Sequence, residues 1–498
     1  MTSAPLDPQG HERSLGQRIL KGVFWTVASQ LVMRLLGIVS TMILARLLMP
    51  EDFGLVALAA LISSAIHLLS VMNFRLWLVR HPSPGRPHYD TVWTLSLLRS
   101  AITGLALCLL AHPAAAFFDE GRLVHVMTLL ALVSLLQGAT NVGAVDFQKH
   151  LDFDKDFGLR FGARLAAFVV TVALAFWWRD YRALVAGLIT GAVASLVLSY
   201  LMHPYRPRWS MAHWREAFDF SKWLLVGDGW LFLYSRADDF ILGKLGSAST
   251  LGIYTVAHEI ASLASTELVM PIRRVLLPGY SKLLGDRKAL KRGFVDGFSI
   301  ILLVGLPAAA GLGVVADPLV RVALGEQWLE SIPILQALAI YGMASVGSAN
   351  VGPVLIALGR TRLIAVVNGV GFLLLVPPFT WAFTRHGVFG AALTVGIVNA
   401  ILLLITIGMT LRALELSAYP LIKDGWRTVL STAMMATAVV AIQNLLRSTD
   451  ASSFIILASS VATGVIAYGA VALLLWLACG KPEGPEQTVS SYVRQQFE

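Results

Sequence analysis

Fourteen apolar runs divide this chain, each long enough to cross the hydrocarbon core of a bilayer as a helix of about 20 residues. They lie near 22–45, 53–74, 91–111, 123–145, 161–178 and 183–202, then near 223–243, 250–270, 294–316, 331–357, 363–384, 387–411, 428–446 and 453–478. With no water in the membrane core, each run must satisfy its own backbone hydrogen bonds, as a helix does. Composition agrees: 56% of residues are hydrophobic, 14% are charged, and the mean hydropathy of +0.70 lies well outside the soluble range. The expected fold is an all-α polytopic membrane protein of about fourteen transmembrane helices.

Lys and Arg over the loops set the orientation. Alternating the loops from a cytoplasmic N-terminus puts 28 basic residues on one side and 8 on the other, with Arg164, at the edge of the fifth run, counted with the loop before it. Arg34, Arg99 and Arg236 remain inside helices. Both termini are therefore expected to be cytoplasmic. Residues 1–21 are polar and the first apolar run exceeds a cleavable signal core, so the first helix is expected to stay in the protein. The net charge of +9 is read as topology, beside anionic headgroups, and nucleic acid is not an expected partner. The basic loop 271–293 follows that reading. Residues 203–221, with Trp209, Trp214 and Phe218 among basic residues, are expected to form a helix lying in the cytoplasmic interface. Cys108 and Cys479 are too few for a disulfide framework and lack metal-site clustering, so no metal or cofactor is expected.

Residues 44–59, LARLLMPEDFGLVALA, align at an offset of 198 with residues 242–257, LGKLGSASTLGIYTVA. Leu44 meets Leu242, Arg46 meets Lys244, Gly54 meets Gly252 and Ala59 meets Ala257. Six spans separate the copies, an even number, so they share an orientation and point to an axis along the membrane normal. The expected organisation is a tail (1–21), an N-lobe (22–202), a linker (203–221), a C-lobe (222–411), two accessory helices (412–478) and a C-terminal tail (479–498).

The turn PEDFGL (Pro50 to Leu55), its echo STLGIY (Ser249 to Tyr254), GRTRL (Gly359 to Leu363) and the six-plus-six-plus-two plan together resemble the polysaccharide flippases. These are the Wzx-type, colanic-acid-exporter-like members of the multidrug, oligosaccharidyl-lipid and polysaccharide exporter superfamily. The resemblance spans residues 15 to 480. It implies a two-lobed transporter of a bacterial cytoplasmic membrane, opening alternately to either side. The implied substrate is a polyprenyl-diphosphate-linked oligosaccharide, with membrane lipids and a polysaccharide polymerase and export machinery as further partners.

Charged side chains inside a span face protein or a watery cavity, because lipid exposure is costly. Thr26, Gln30, Arg34, Gly37 and Thr41 recur at helical spacing and give the first span a polar stripe. Arg34, charged at any physiological pH, suits a phosphate-bearing substrate or a structural ion pair. Arg99, His67 and Tyr341 are further candidates for the substrate cleft, as hydrogen-bonding or snorkelling groups. On the seventh span Arg236 stands three residues before Asp239, close enough to pair. That group, with Asp228 and Asp238, is either a neutralised packing network with Arg236 also facing substrate, or an ion-coupling site. His258 and Glu259 offer a second place for H+ or Na+ coupling.

No catalytic constellation is present: no phosphate-binding loop with its Lys, no HExxH and no paired-cysteine spacing. A membrane polymerase or glycosyltransferase is the rival of another class. Its usual large external catalytic loop has no counterpart here, the longest external loop being about 317–330. A lipid II flippase or a multidrug exporter of the same superfamily are the nearer rivals.

Overall fold

A computed structural model of the chain describes residues 32–69, 78, 84–149 and 152–481, without the side chains of 68, 69, 148, 153 and 217–231. Gln30, Thr26, both far tails and the Asp228 side chain lie outside the described residues. The described residues are helical throughout, joined by short turns. We number the longer helices α1 (32–47), α2 (Pro50–Leu69), α3 (Arg86–Phe118), α4 (Leu123–Gly138), α5 (Phe153–Trp178), α6 (Arg182–Met202) and α7 (Trp214–Leu245). There follow α8 (Ala248–Leu263), α9 (Met270–Lys282), α10 (Arg287–Val314), α11 (Ser331–Ser348), α12 (Thr361–Leu414), α13 (Tyr419–Arg447) and α14 (Ser453–Ala478). Among the described residues eight stretches are long and apolar enough to cross a membrane: α3, α5, α6, α10, Ser331–Ala357, α12, α13 and α14. One of these, α12, contains two of the expected spans. Within α12, Gly387 takes φ 64° and ψ −156° and breaks the helix between the eleventh and twelfth expected spans.

The chain divides into two compact units, one of residues Met1–Phe232 with Gly243–Ser249, the other of Leu233–Leu242 with Thr250–Glu498. The division falls inside α7, downstream of the expected linker.

In the first unit the turn motif has a visible physical purpose. Asp52 is 8% exposed; its two carboxylate oxygens accept from the backbone N–H groups of Met49 and Tyr181, each at 3.0 Å. One side chain thus ties the α1–α2 turn to the α5–α6 turn. Arg122 adds a second tie by donating to Glu120 at 2.8 Å and to Glu51. The α5–α6 hairpin closes on a seam of small residues: a Cβ on Gly187 would lie 1.7 Å from Thr171 Oγ1, and one on Gly162 2.9 Å from Leu198. Only glycine admits such an approach.

The expected interfacial helix over 203–221 is corrected. Residues 203–210 are non-helical, and α7 begins at Trp214 and continues unbroken into the seventh expected span. Pro204 and Pro207 remove two N–H donors and bias their predecessors away from helix. The segment instead forms a strap bonded to α3. Asp90 Oδ1 accepts from the Tyr205 hydroxyl and from Arg208 N at 2.9 Å, while Thr94 Oγ1 accepts from Ser210 N at 3.1 Å. Asn141 Nδ2 donates to the Tyr205 carbonyl at 2.8 Å.

In the second unit the core gathers Phe294, Ile301, Val346 and Val354 around Tyr280. Tyr280 Oη donates to Asn350 Oδ1 at 2.5 Å, and Asn350 Nδ2 donates to the Phe294 carbonyl at 2.9 Å. The basic segment 271–293 therefore holds α9 and the start of α10, where Asp286 caps by accepting from Lys288 N and Ala289 N. α13 and α14 belong to this unit: Gln443 donates to the Val314 carbonyl and Tyr468 to the Leu303 carbonyl.

The internal repeat has a structural counterpart. Helix ends at 47 and at 245, two residues leave the helix, and it resumes at 50 and at 248, so both junctions keep the 198-residue offset.

Candidate functional site

The second unit assembles a buried polar group from α7, α8, α11 and α12. Asp238, 7% exposed on α7, accepts a hydrogen bond from the Tyr254 hydroxyl on α8 at 2.6 Å. Tyr254 is fully buried and stacks toward His258 with ring centroids 5.8 Å apart; His258 lies 4.8 Å from the Tyr341 ring on α11. Phe379 of α12 closes one side, its ring edge-on to Tyr254 at 6.5 Å. One turn earlier on α7, Tyr234 Oη donates to Asn399 Oδ1 at 2.9 Å, and Asn399 Nδ2 returns a bond to the Val395 carbonyl.

Two glycines let these helices meet. A Cβ on Gly342 would stand 2.7 Å from the Ala261 carbonyl oxygen, so α11 approaches the α8 backbone at closest range beside Tyr341. A Cβ on Gly371 would stand 2.7 Å from the Tyr234 ring. The result is a buried carboxylate with a phenol donor and an imidazole one ring away.

Arg236 lies beside this group and pairs with Asp239, Nη1 to Oδ2 at 2.9 Å; the arginine is 51% exposed and the aspartate 15%. Glu259 is exposed on α8, within electrostatic reach of His258. Of the sequence candidates, the structure thus brings together Asp238, His258 and Tyr341, pairs Arg236 with Asp239, and leaves Glu259 exposed at the edge of the group.

In the first unit, Arg34 and Thr41 are half-buried, two turns apart on α1. Arg99 of α3 is half-buried, and His67 of α2 lies within electrostatic reach of it. The sequence reading missed Arg164. The helix that carries it begins at Phe153, not at 161, so Arg164 stands three turns inside α5 and belongs to the helix, not to a loop. Tyr234, Tyr254 and Asn399 were also missed, although Asn399 had a signal as the lone amide in the apolar run 387–411. Among the described residues no group of His, Cys, Asp or Glu is arranged to hold a metal ion.

A family model described as polysaccharide biosynthesis protein matches residues 43–333, more than half of the chain. The lipopolysaccharide biosynthesis protein WzxC of Escherichia coli (strain K12) is 26% identical over 396 residues, covering 78% of this chain and 80% of its own length. The teichuronic acid biosynthesis protein TuaB of Bacillus subtilis (strain 168) is 25% identical over 467 residues, covering 91% and 95%. Among solved structures, the lipid II flippase MurJ in an inward closed conformation aligns with a TM-score of 0.70 at 14% identity, covering 92% of this chain and 99% of that one. An inward-facing MATE family multidrug transporter of the MOP superfamily aligns at 0.58 and 15% identity, covering 77% and 94%. At such identities these two structures establish a shared fold.

Proposed function

This chain belongs to the polysaccharide biosynthesis protein family, and on that premise we propose that it is a flippase for polyprenyl-diphosphate-linked oligosaccharide repeat units. It carries them across the cytoplasmic membrane for surface polysaccharide assembly, and fourteen spans with cytoplasmic termini form the transporter. The observation that carries the reading is the family match combined with a fold shared with a lipid II flippase. The chemistry supports it. Arg34, Arg99 and Arg164 place fixed positive charge within helices of the first unit, which favours an anionic diphosphate and opposes a cationic drug.

Transport proceeds by alternating access of the two repeat-related lobes. Gln30, Arg34, Thr41, Arg99 and Arg236 meet substrate, with His67 and Tyr341 as hydrogen-bonding partners for the sugars. Asp238, Asp239 and His258, with Glu259 at their edge, couple the cycle to H+ or Na+. A coupling group must change its charge or its ligand between states, and a buried carboxylate held by a neutral phenol can do both. A lipid II substrate is the second reading, favoured by the fold likeness to MurJ.

The test is to delete the gene and measure lipid-linked saccharides on each leaflet. Accumulation of intact repeat units on the inner leaflet, with loss of surface polysaccharide, is expected. Accumulation of lipid II in their place selects the second reading; unpolymerised repeat units on the outer leaflet contradict both.

A further inference from the structure

A groove of about 520 Å³ runs through the first unit between α1, α2, α4, α5 and α6. That volume lies in the range of roughly 300–1,000 Å³ usual for ligand sites. Its lining is graded along its length. At the end where α5 and α1 begin and α4 and α6 finish, it carries Arg160, Arg164, Gln137 and Ser195. Toward the opposite end, about 16 Å along α5 at 1.5 Å per residue, the walls are Leu44, Val56 and Leu184.

The two arginines differ in their ties. Arg160 is paired with Asp156 at 3.0 Å, whereas Arg164 has no ion-pair or hydrogen-bond partner among the described residues. Its Nη2 faces α1 at a bare spot, 3.6 Å from where a Cβ on Gly37 would sit. An unpaired guanidinium within a span is costly unless it meets water or an anion, and its planar fork suits phosphoryl oxygens. A cationic end and mainly apolar walls beyond it suit a lipid phosphate. A volume of about 520 Å³ is of the size for a phosphoryl head and the first units of one isoprenoid chain.

We propose that this groove holds the phosphoryl end and first isoprene units of a polyprenyl-phosphate lipid, with Arg164 on the phosphate. The inference rests on the lipid-linked substrate reading above and assigns the place where the phosphoryl end is held. Gly37 keeps the α1 wall open for the guanidinium, and the small-residue seam of α5 against α6 keeps the other wall fixed.

The experiment is native mass spectrometry of the full-length protein in phosphatidylcholine nanodiscs, titrated with farnesyl diphosphate. Wild type is expected to bind one equivalent, Arg164→Gln and Gly37→Leu to lose at least tenfold in affinity, and Arg164→Lys to keep most of it. Arg360→Gln, on an exposed turn, is expected to match wild type and controls for nonspecific charge loss. Equal binding by wild type and Arg164→Gln overturns the proposal. So does equal binding of inorganic diphosphate, which would mean the chain is not recognised, or full displacement by added phosphatidylglycerol, which would mean an ordinary phospholipid site. If Arg164→Gln fails to fold, the Arg164→Lys and Gly37→Leu pair decides: loss in Gly37→Leu with retention in Arg164→Lys supports the site, and equal binding in both overturns it. Transport is not needed for this readout. A protein that binds but leaves lipid-linked saccharides undisturbed on deletion overturns the flippase reading alone, while a flippase indifferent to Arg164 overturns this site alone.

Discussion

The bond from Tyr254 to Asp238 is the residue-level contact on which the second unit's site depends. Removing the donor leaves a buried carboxylate short of a partner, at a cost of about 1–3 kcal/mol. Tyr254→Phe is therefore expected to lower the melting temperature in detergent, and an unchanged melt would mean the bond contributes nothing. Asp238→Asn keeps an acceptor for the same phenol. It should melt near wild type while abolishing transport; retained transport would remove Asp238 from the coupling role. The partly exposed Arg236–Asp239 pair is a weaker contributor, under about 1 kcal/mol, so Arg236→Gln should leave stability nearly unchanged. Asp238, Asp239 and His258 were legible because a titratable group in an apolar run stands out by itself. Tyr254 was not: a tyrosine in a turn motif looks like packing until the neighbouring helix supplies its carboxylate. Glu259 stands next to His258 in sequence, yet one step along a helix turns a side chain by about 100°, so it lies exposed while His258 meets Tyr254 and Tyr341.

At the scale of elements, close helix approach and the strap make separate predictions. Gly342→Ala drives a methyl group into the Ala261 carbonyl, which as backbone cannot step aside, and is expected to cost about 1–3 kcal/mol in thermal stability. A wild-type melt would mean that α8 and α11 separate freely. The strap depends on Asp90, so Asp90→Ala should raise the rate of proteolytic cleavage within 203–213; no change would contradict its anchoring role. Burial and the bond to Asp90 hold the Tyr205 phenol above the ordinary range. A group whose pKa rises on folding stabilises the folded state fully below its unfolded value, about 10 for tyrosine, and that contribution fades as pH climbs above it. Cleavage of the strap should thus rise above about pH 10 in wild type and show no such pH dependence in Tyr205→Phe. The break at Gly387 was legible, because a positive-φ glycine falls where two apolar runs abut. By contrast α5, α7, α10 and α13 begin at 153, 214, 287 and 419, ahead of the apolar runs at 161, 223, 294 and 428, because hydropathy does not mark the polar first turns of a helix. The strap was misread because aromatic and basic residues suggested an interfacial helix, while Pro204 and Pro207 and the acceptors on α3 decide for extended chain.

For the whole molecule, the repeat was legible at its junctions and nowhere else. Turn geometry limits which residues fit, whereas lipid-facing helix surfaces accept any apolar side chain, so similarity survives at 44–59 and 242–257 and is lost between. The unit boundary inside α7 was not legible, since the chain there is a continuous helix and the division depends on which neighbours each turn meets. The family resemblance read from the turns matches the family found, and the fold is that of MurJ and MATE transporters. What crosses the membrane is the central question. Its most direct test is leaflet-resolved mass spectrometry of polyprenyl-linked saccharides after depletion of this protein, repeated with Asp238→Asn and Arg34→Gln in its place. The account predicts intact repeat units trapped on the inner leaflet in all three strains, and their relief by wild type. Repeat units reaching the outer leaflet undiminished in the depleted strain would contradict it.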